Sequence, residues 1–74
     1  MADLTLDLTG LRCPLPVLKA KKAMRDLAPG EVVEVIATDP AAPGDFAAFC
    51  REAGHRLLDS SEAEETYRLV IEKG

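Results

Sequence analysis

Leu4, Leu6 and Leu8 alternate with Thr5 and Asp7, the two-residue period of a strand with one buried face. Thr9-Gly10-Leu11-Arg12 breaks that pattern, and after Cys13-Pro14-Leu15-Pro16 the apolar positions recur as Val17, Ala20, Met24 and Leu27, a helical spacing. The helix is expected to start just after Cys13 and to stop near Ala28, because Pro29 disfavours a helical residue before it and Gly30 suits the following turn. Residues 31–38, Glu-Val-Val-Glu-Val-Ile-Ala-Thr, are β-branched and apolar on nearly both sides and predict a well-covered inner strand. Asp39 to Gly44 reads as a loop, after which Asp45 is placed to cap a second helix with Phe46, Phe49, Cys50 and Ala53 on one face and Gly54 at its end. A short strand is expected at Arg56–Asp59, a polar turn from Ser60 to Glu65, and a last strand in which Tyr67, Leu69 and Ile71 alternate with Arg68, Val70 and Glu72.

The order β-α-β-α-β-β predicts an α+β fold, a two-layer sandwich with two helices on one face of a four-stranded mixed sheet. A strand-helix-strand unit crosses over right-handed with its strands parallel, and the last two strands are close enough for an antiparallel hairpin. The parallel pair carries a consequence for chemistry. Arg12-Cys13 and Thr38-Asp39 each follow one of its strands, so both emerge at the same sheet edge, where ligands of open α/β sheets gather.

Composition narrows the class. Seventy-four residues make one domain, residues 1–74, and a chain of this length buries only about 60% of the surface its unfolded form exposes. Chemistry is therefore expected on the surface and not in an enclosed cavity. With no Trp, one Tyr, two Phe and two Cys, the core rests on aliphatic packing. Thirteen acids against nine bases give a net charge of −4, which argues against direct nucleic-acid binding. The start of the chain, Met1 to Asp7, lacks the basic segment and apolar run of a signal peptide, and no apolar stretch approaches about 18 residues. A cytoplasmic protein without membrane association is expected, a compartment in which thiols stay reduced.

That puts weight on Cys13-Pro14-Leu15-Pro16. With Cys13 as the helix cap, both prolines fall where the first-turn amides have no internal acceptor. The N–H groups of Leu15 and Val17 are then expected to point toward the cap sulfur. Arg12, Lys19, Lys21, Lys22 and Arg25 supply positive charge before the first acid at Asp26. Helix start and basic residues together predict a thiol held below its ordinary range, a surface nucleophile. The competing reading is a small buried cysteine at a helix start.

Gly10-Leu11-Arg12-Cys13-Pro14-Leu15-Pro16, with Val17 to Met24 after it, resembles the Gly-x-x-Cys-Pro-x-Pro signature of the TusA (SirA-like) family of small sulfur carriers. Pro29-Gly30-Glu31, Asp39-Pro40, Asp45-Phe46, Phe49-Cys50 and Gly54-His55 extend the resemblance over essentially the whole chain. It implies the same β-α-β-α-β-β sandwich. It also implies that Cys13 accepts a sulfane sulfur as a persulfide and relays it, a stoichiometric role without a cofactor. The implied partners are a cysteine desulfurase or other persulfide donor and a downstream acceptor protein. They would meet a monomer over Arg12, Pro14, Leu15, Pro16, Val17, Lys19 and Asp39, in tRNA wobble-uridine thiolation, molybdenum-cofactor maturation or sulfur oxidation. A regulatory docking module with an idle thiol and a two-cysteine redox protein are the alternatives.

Other chemistry-bearing residues have plainer readings. Cys50 shares the apolar face of the second helix and is assigned to the core, and a redox pair with Cys13 would require α-carbons within about 7 Å. His55 follows a helix-ending glycine and reads as a turn residue, and one His with two distant Cys composes no zinc site. Asp39 either lies beside Cys13 to orient a basic group of a partner or is the acidic half of an Asp-Pro turn. The lysines of the first helix form either a solvated face or a docking patch for acidic partners.

Overall fold

The computed structural model describes residues 2–74; Met1, part of the amino-terminal stretch considered above, lies outside them. The elements are β1 (Leu4–Leu8), α1 (Leu15–Met24), β2 (Val32–Ala37), α2 (Ala42–Ala53), β3 (Arg56–Ala63) and β4 (Thr66–Glu72). They build one four-stranded sheet in the order β1-β2-β4-β3, with β1 and β2 parallel and the other neighbours antiparallel. This is the α+β mixed-sheet sandwich that the periodicity predicts.

Register explains which face is buried. Leu6 lies beside Val35, Val35 beside Leu69 and Val33 beside Ile71, so the apolar set of each strand faces the same way. A one-residue slip would turn a whole strand's apolar set to water. Leu8, Val33, Val35, Ala37, Leu69 and Ile71 meet Ala20 and Met24 of α1 and Phe46 and Cys50 of α2 in a single core. The other face is polar. There Arg68 pairs with Glu34 and, at 3.3 Å, with Asp59, while the Thr5 hydroxyl donates to Glu34 at 3.3 Å. Exposed pairs of this kind contribute little, at most about 1 kcal/mol each. Among the described residues no helix is long and apolar enough to cross a membrane.

Four expectations are corrected. β2 is interior by pairing on both edges, but only Val33, Val35 and Ala37 are buried; Val32, Glu34 and Ile36 sit half-buried on the open face. α1 starts at Leu15 with Pro14 as its cap, one residue later than expected, and ends at Met24. There the Lys73 ammonium donates to the Met24 carbonyl at 2.5 Å, and Arg25, Asp26 and Leu27 continue in tighter i to i−3 bonds of 3.2–3.3 Å. α2 starts at Ala42, because Asp39 accepts the N–H groups of Ala41 and Ala42 and Pro43 fits the first turn, so Asp45 lies inside the helix. Its buried stripe is Ala42, Phe46 and Cys50, whereas Ala53 is exposed beside Gly54, whose φ of 80° ends the helix.

The fourth correction lengthens β3 to Ala63. Ser60 to Ala63 pair with β4 through their backbones, beyond the core, and so show no apolar alternation. Leu58 is a bulge residue, since Leu57 faces Ile71 and Asp59 faces Val70, and its side chain is correspondingly exposed. The connection to β4 is a two-residue hairpin loop in which Glu64 and Glu65 adopt φ of 53° and 64°. L-residues other than Asn and Gly fit that conformation poorly. Replacing Glu64→Asn together with Glu65→Gly is expected to stabilise the domain by about 0.5–1 kcal/mol. A thermal melt checks this, with a rise of a few degrees expected and an unchanged or lower midpoint counting against it.

Candidate functional site

β1 ends in a local turn in which Asp7 accepts the backbone N–H of Thr9 at 3.1 Å and its hydroxyl at 2.7 Å. Those bonds favour the ionised carboxylate and hold Asp7 below the usual carboxylate range. Gly10 follows at φ 81°, a left-handed position that glycine fills without strain, and donates its N–H to the Thr38 hydroxyl at 2.8 Å. Three residues on, the Cys13 N–H donates to a carboxylate oxygen of Asp39 at 2.6 Å. The other Asp39 oxygen accepts the Ala41 N–H at 3.2 Å, and its backbone carbonyl accepts the Ala42 N–H at 2.9 Å. The parallel pairing of β1 with β2 thus brings the loop after one strand onto the loop after the other. Asp39 fastens Cys13 and starts α2 at once.

Cys13 is exposed. Its sulfur does not occupy the helix cap: Pro14 does, and the Leu15 N–H is taken by the Arg12 carbonyl at 2.8 Å. What faces the sulfur is acidic. The Cys13 Sγ and one carboxylate oxygen each from Asp39 and Asp45 lie within 4.8 Å of one another. The Asp45 carboxylate beside the thiol favours its protonated form and raises it above its ordinary range; desolvation and the negative charges of Asp45 and Asp39 act in the same direction. The expected lowered thiol is therefore overturned. Lys21 borders the groove beside Cys13, but none of the bases of α1 is among the groups that set the thiol, whereas α2 delivers a carboxylate to it. Alkylation of Cys13 by iodoacetamide at neutral pH is expected to be slower than that of an unstructured cysteine peptide. Its rate should climb with pH to a midpoint above the peptide's, and a midpoint below the peptide's would contradict this environment.

Two open grooves flank the cysteine. One, about 310 Å³, runs between α1 and α2 and is lined by Cys13, Pro14, Val17, Leu18, Ala48 and Phe49, with Lys21, Asp45 and Glu52 at its borders. The other, about 520 Å³, is lined by Gly10, Leu11, Arg12, Thr38, Asp39 and Pro40. Of the residues expected at the site, Pro14 and Val17 share the first groove with Cys13, and Arg12 and Asp39 line the second. Leu15 is exposed beyond both, Lys19 is exposed without lining either, and Pro16 is buried in the core, where it seats α1. Asp45, Leu18 and Phe49 were not among the expected site residues. For Asp45 the signal was topological: the first turn of α2 must emerge beside Thr38-Asp39, and so beside Cys13.

A thiol with two carboxylates is a mixed donor set, but it suits a metal poorly. Both Asp39 oxygens already accept backbone N–H groups, and the thiol is held in its protonated form, whereas a ligand sulfur must be deprotonated. Cys50 is 3% exposed in the core, its thiol also raised by burial, and His55 stacks near Phe49 with ring centroids 5.3 Å apart. Both cysteines are free.

The site thus holds an exposed thiol beside a groove with apolar walls. Comparisons with known proteins show the family. The family model described as "Sulfurtransferase TusA" matches residues 4–73. A protein of Neisseria meningitidis, provisionally named as a sulfur carrier protein, is 57% identical over 68 residues, covering 92% of each chain. The sulfur carrier protein TusA of Allochromatium vinosum is 44% identical over 71 residues, covering 96% of this chain and 93% of its own. The crystal structure of a SirA-like protein from Desulfitobacterium hafniense superposes with a TM-score of 0.85 at 27% identity, over 96% of this chain and 97% of the other. With fold and sequence in agreement, the chain belongs to the TusA family and is a sulfur carrier, working between sulfur donor and acceptor proteins.

Proposed function

We propose that Cys13 is the residue that carries the sulfur, as a persulfide. The observation that supports this most is its position: it is the exposed cysteine of the two, fixed by Asp39 at the mouth of a groove, while Cys50 lies in the core. In loading, the Cys13 sulfur bonds to the terminal sulfur of a donor persulfide, the donor's sulfur–sulfur bond breaks, and the donor leaves as a thiol. The sulfane sulfur changes hands without net oxidation, so no cofactor is required. Delivery is the same exchange with Cys13 as the leaving thiol.

The donor is a cysteine desulfurase or another persulfide-bearing protein, and the acceptor is a protein thiol of tRNA wobble-uridine thiolation, molybdenum-cofactor maturation or sulfur oxidation, in the cytoplasm. Neither exchange needs an enclosed cavity, because the partner protein covers the sulfur during transfer. The two-cysteine redox reading lacks an accessible second thiol. The test is transfer itself. Incubation with a cysteine desulfurase and cysteine should add the mass of one sulfur atom, removable by reductant and passed on to an acceptor protein. A chain that takes no sulfur from any persulfide donor would refute the proposal.

A further inference from the structure

We propose that Asp45 is the proton shuttle of the sulfur exchange, taking the Cys13 thiol proton as the sulfur attacks and returning it to the departing donor sulfur. The inference rests on Cys13 as the sulfur-bearing residue and assigns a second chemical role beside it. Three placements carry it. Asp45 stands in the first turn of α2, half-buried, where the helix backbone fixes its position. Its carboxylate belongs to the cluster in which Cys13, Asp39 and Asp45 present their atoms within 4.8 Å of one another. It also borders the groove into which a donor group must enter to reach the sulfur.

The two acids divide the work by their placement. Asp39 has both carboxylate oxygens committed to the N–H groups of Cys13 and Ala41, so it positions the loop. Asp45 presents a carboxylate oxygen within 4.8 Å of the Cys13 sulfur, the placement from which it can take the thiol proton. The other charged groups bordering this groove are Lys21 from α1 and Glu52 from α2, while Arg12 lines the neighbouring groove. Of the acids bordering this groove, Asp45 belongs to the three-atom cluster and Glu52 does not.

The step balances. The Cys13 thiol proton passes to the Asp45 carboxylate while the Cys13 sulfur bonds to the terminal sulfur of a protonated persulfide. The donor's sulfur–sulfur bond gives its electron pair to the inner donor sulfur, which then takes the proton from Asp45. The products are a Cys13 persulfide, a donor thiol and an ionised Asp45. Between encounters the same contact stores the sulfur acceptor as a thiol, the form that resists alkylation and oxidation. The nucleophile is thus generated only against a leaving group that can receive the proton.

The test compares two reactions of one thiol. Iodoacetamide consumes thiolate and releases iodide, which needs no proton, whereas loading from cysteine persulfide releases a thiolate that does. Asp45→Asn is expected to raise the alkylation rate at neutral pH, since the negative charge is gone, and to slow persulfide loading at least about tenfold. Asp45→Glu should recover part of the loading. Should the Asn variant fail to fold by circular dichroism, Asp45→Ser makes the same comparison from a side chain suited to a helix start. Loading at the wild-type rate or faster in the neutral variants, with Cys13→Ser still inactive, would overturn the shuttle and leave the carrier role of Cys13 standing. Failure of the wild-type protein to load would instead remove the carrier role itself.

Discussion

Cys13→Ser is expected to abolish sulfur acceptance completely, while Cys50→Ser continues to load one sulfur atom. A serine hydroxyl is no nucleophile at neutral pH without a strong base, and an oxygen in place of the sulfur cannot hold a persulfide. The substitution should not disturb the fold. The Cys13 side chain is exposed, and what ties the residue to the rest of the protein is its backbone N–H to Asp39, which serine keeps. Cys50→Ser behaves in the opposite way: it puts a hydroxyl into an apolar core and should cost about 1–3 kcal/mol of stability, with sulfur uptake retained. Intact mass after incubation with a persulfide donor, beside a thermal melt of each variant, separates the two effects. Sulfur retained by Cys13→Ser would exclude this cysteine as the carrier.

Phe46→Ala is expected to bring the domain close to unfolding. Phe46 heads the fully buried side chains by size, at 0% exposure, and joins α2 to the sheet. Truncating a buried Phe costs about 3–5 kcal/mol, because transfer energy is lost and a cavity remains. A chain of this length has about 4–11 kcal/mol in total. The edge-on contact with Phe49, at 6.4 Å between ring centroids, goes with it, so the groove beside Cys13 should loosen as well. The midpoint of thermal unfolding should fall by at least about 12 °C, a shift that corresponds to the lower end of that cost. A fall of only a few degrees would mean that neighbouring residues collapse into the space, a behaviour at odds with a core whose strands are fixed by pairing.

The contrast between β1 and β3 shows what was legible in the sequence. In β1 the alternation of Leu4, Leu6 and Leu8 reports a face pressed on the core, and period alone locates the strand. In β3 the stretch from Ser60 to Ala63 is exposed and held by backbone pairing with β4, which leaves no mark on residue type. The loop of Cys13 was legible in part. Gly10, Cys13 and the two prolines are local features, and the parallel strands place Asp39 beside them. The electrostatics were not legible, because residues near in sequence are poor proxies for residues near in space. Lys19 and Lys22 lie on exposed parts of α1, whereas Asp45 arrives from another helix altogether. The net result is a thiol governed by two acids in a stretch whose composition is basic.

The double duty of Asp39 sets how sulfur can travel. Because the same carboxylate secures the cysteine loop and opens α2, any outward swing of the loop would break bonds at the start of a helix that is packed on the core. The sulfur is therefore displayed on a mounting with almost no slack, and its excursion is limited to rotation about the cysteine side chain. With Cys13 as the proposed carrier, a donor must bring its own persulfide to that point, and an acceptor must bring its thiol. On the reading that Cys13 holds the sulfur, its passage from donor to acceptor rests on diffusion of the whole small protein and not on an arm of the carrier.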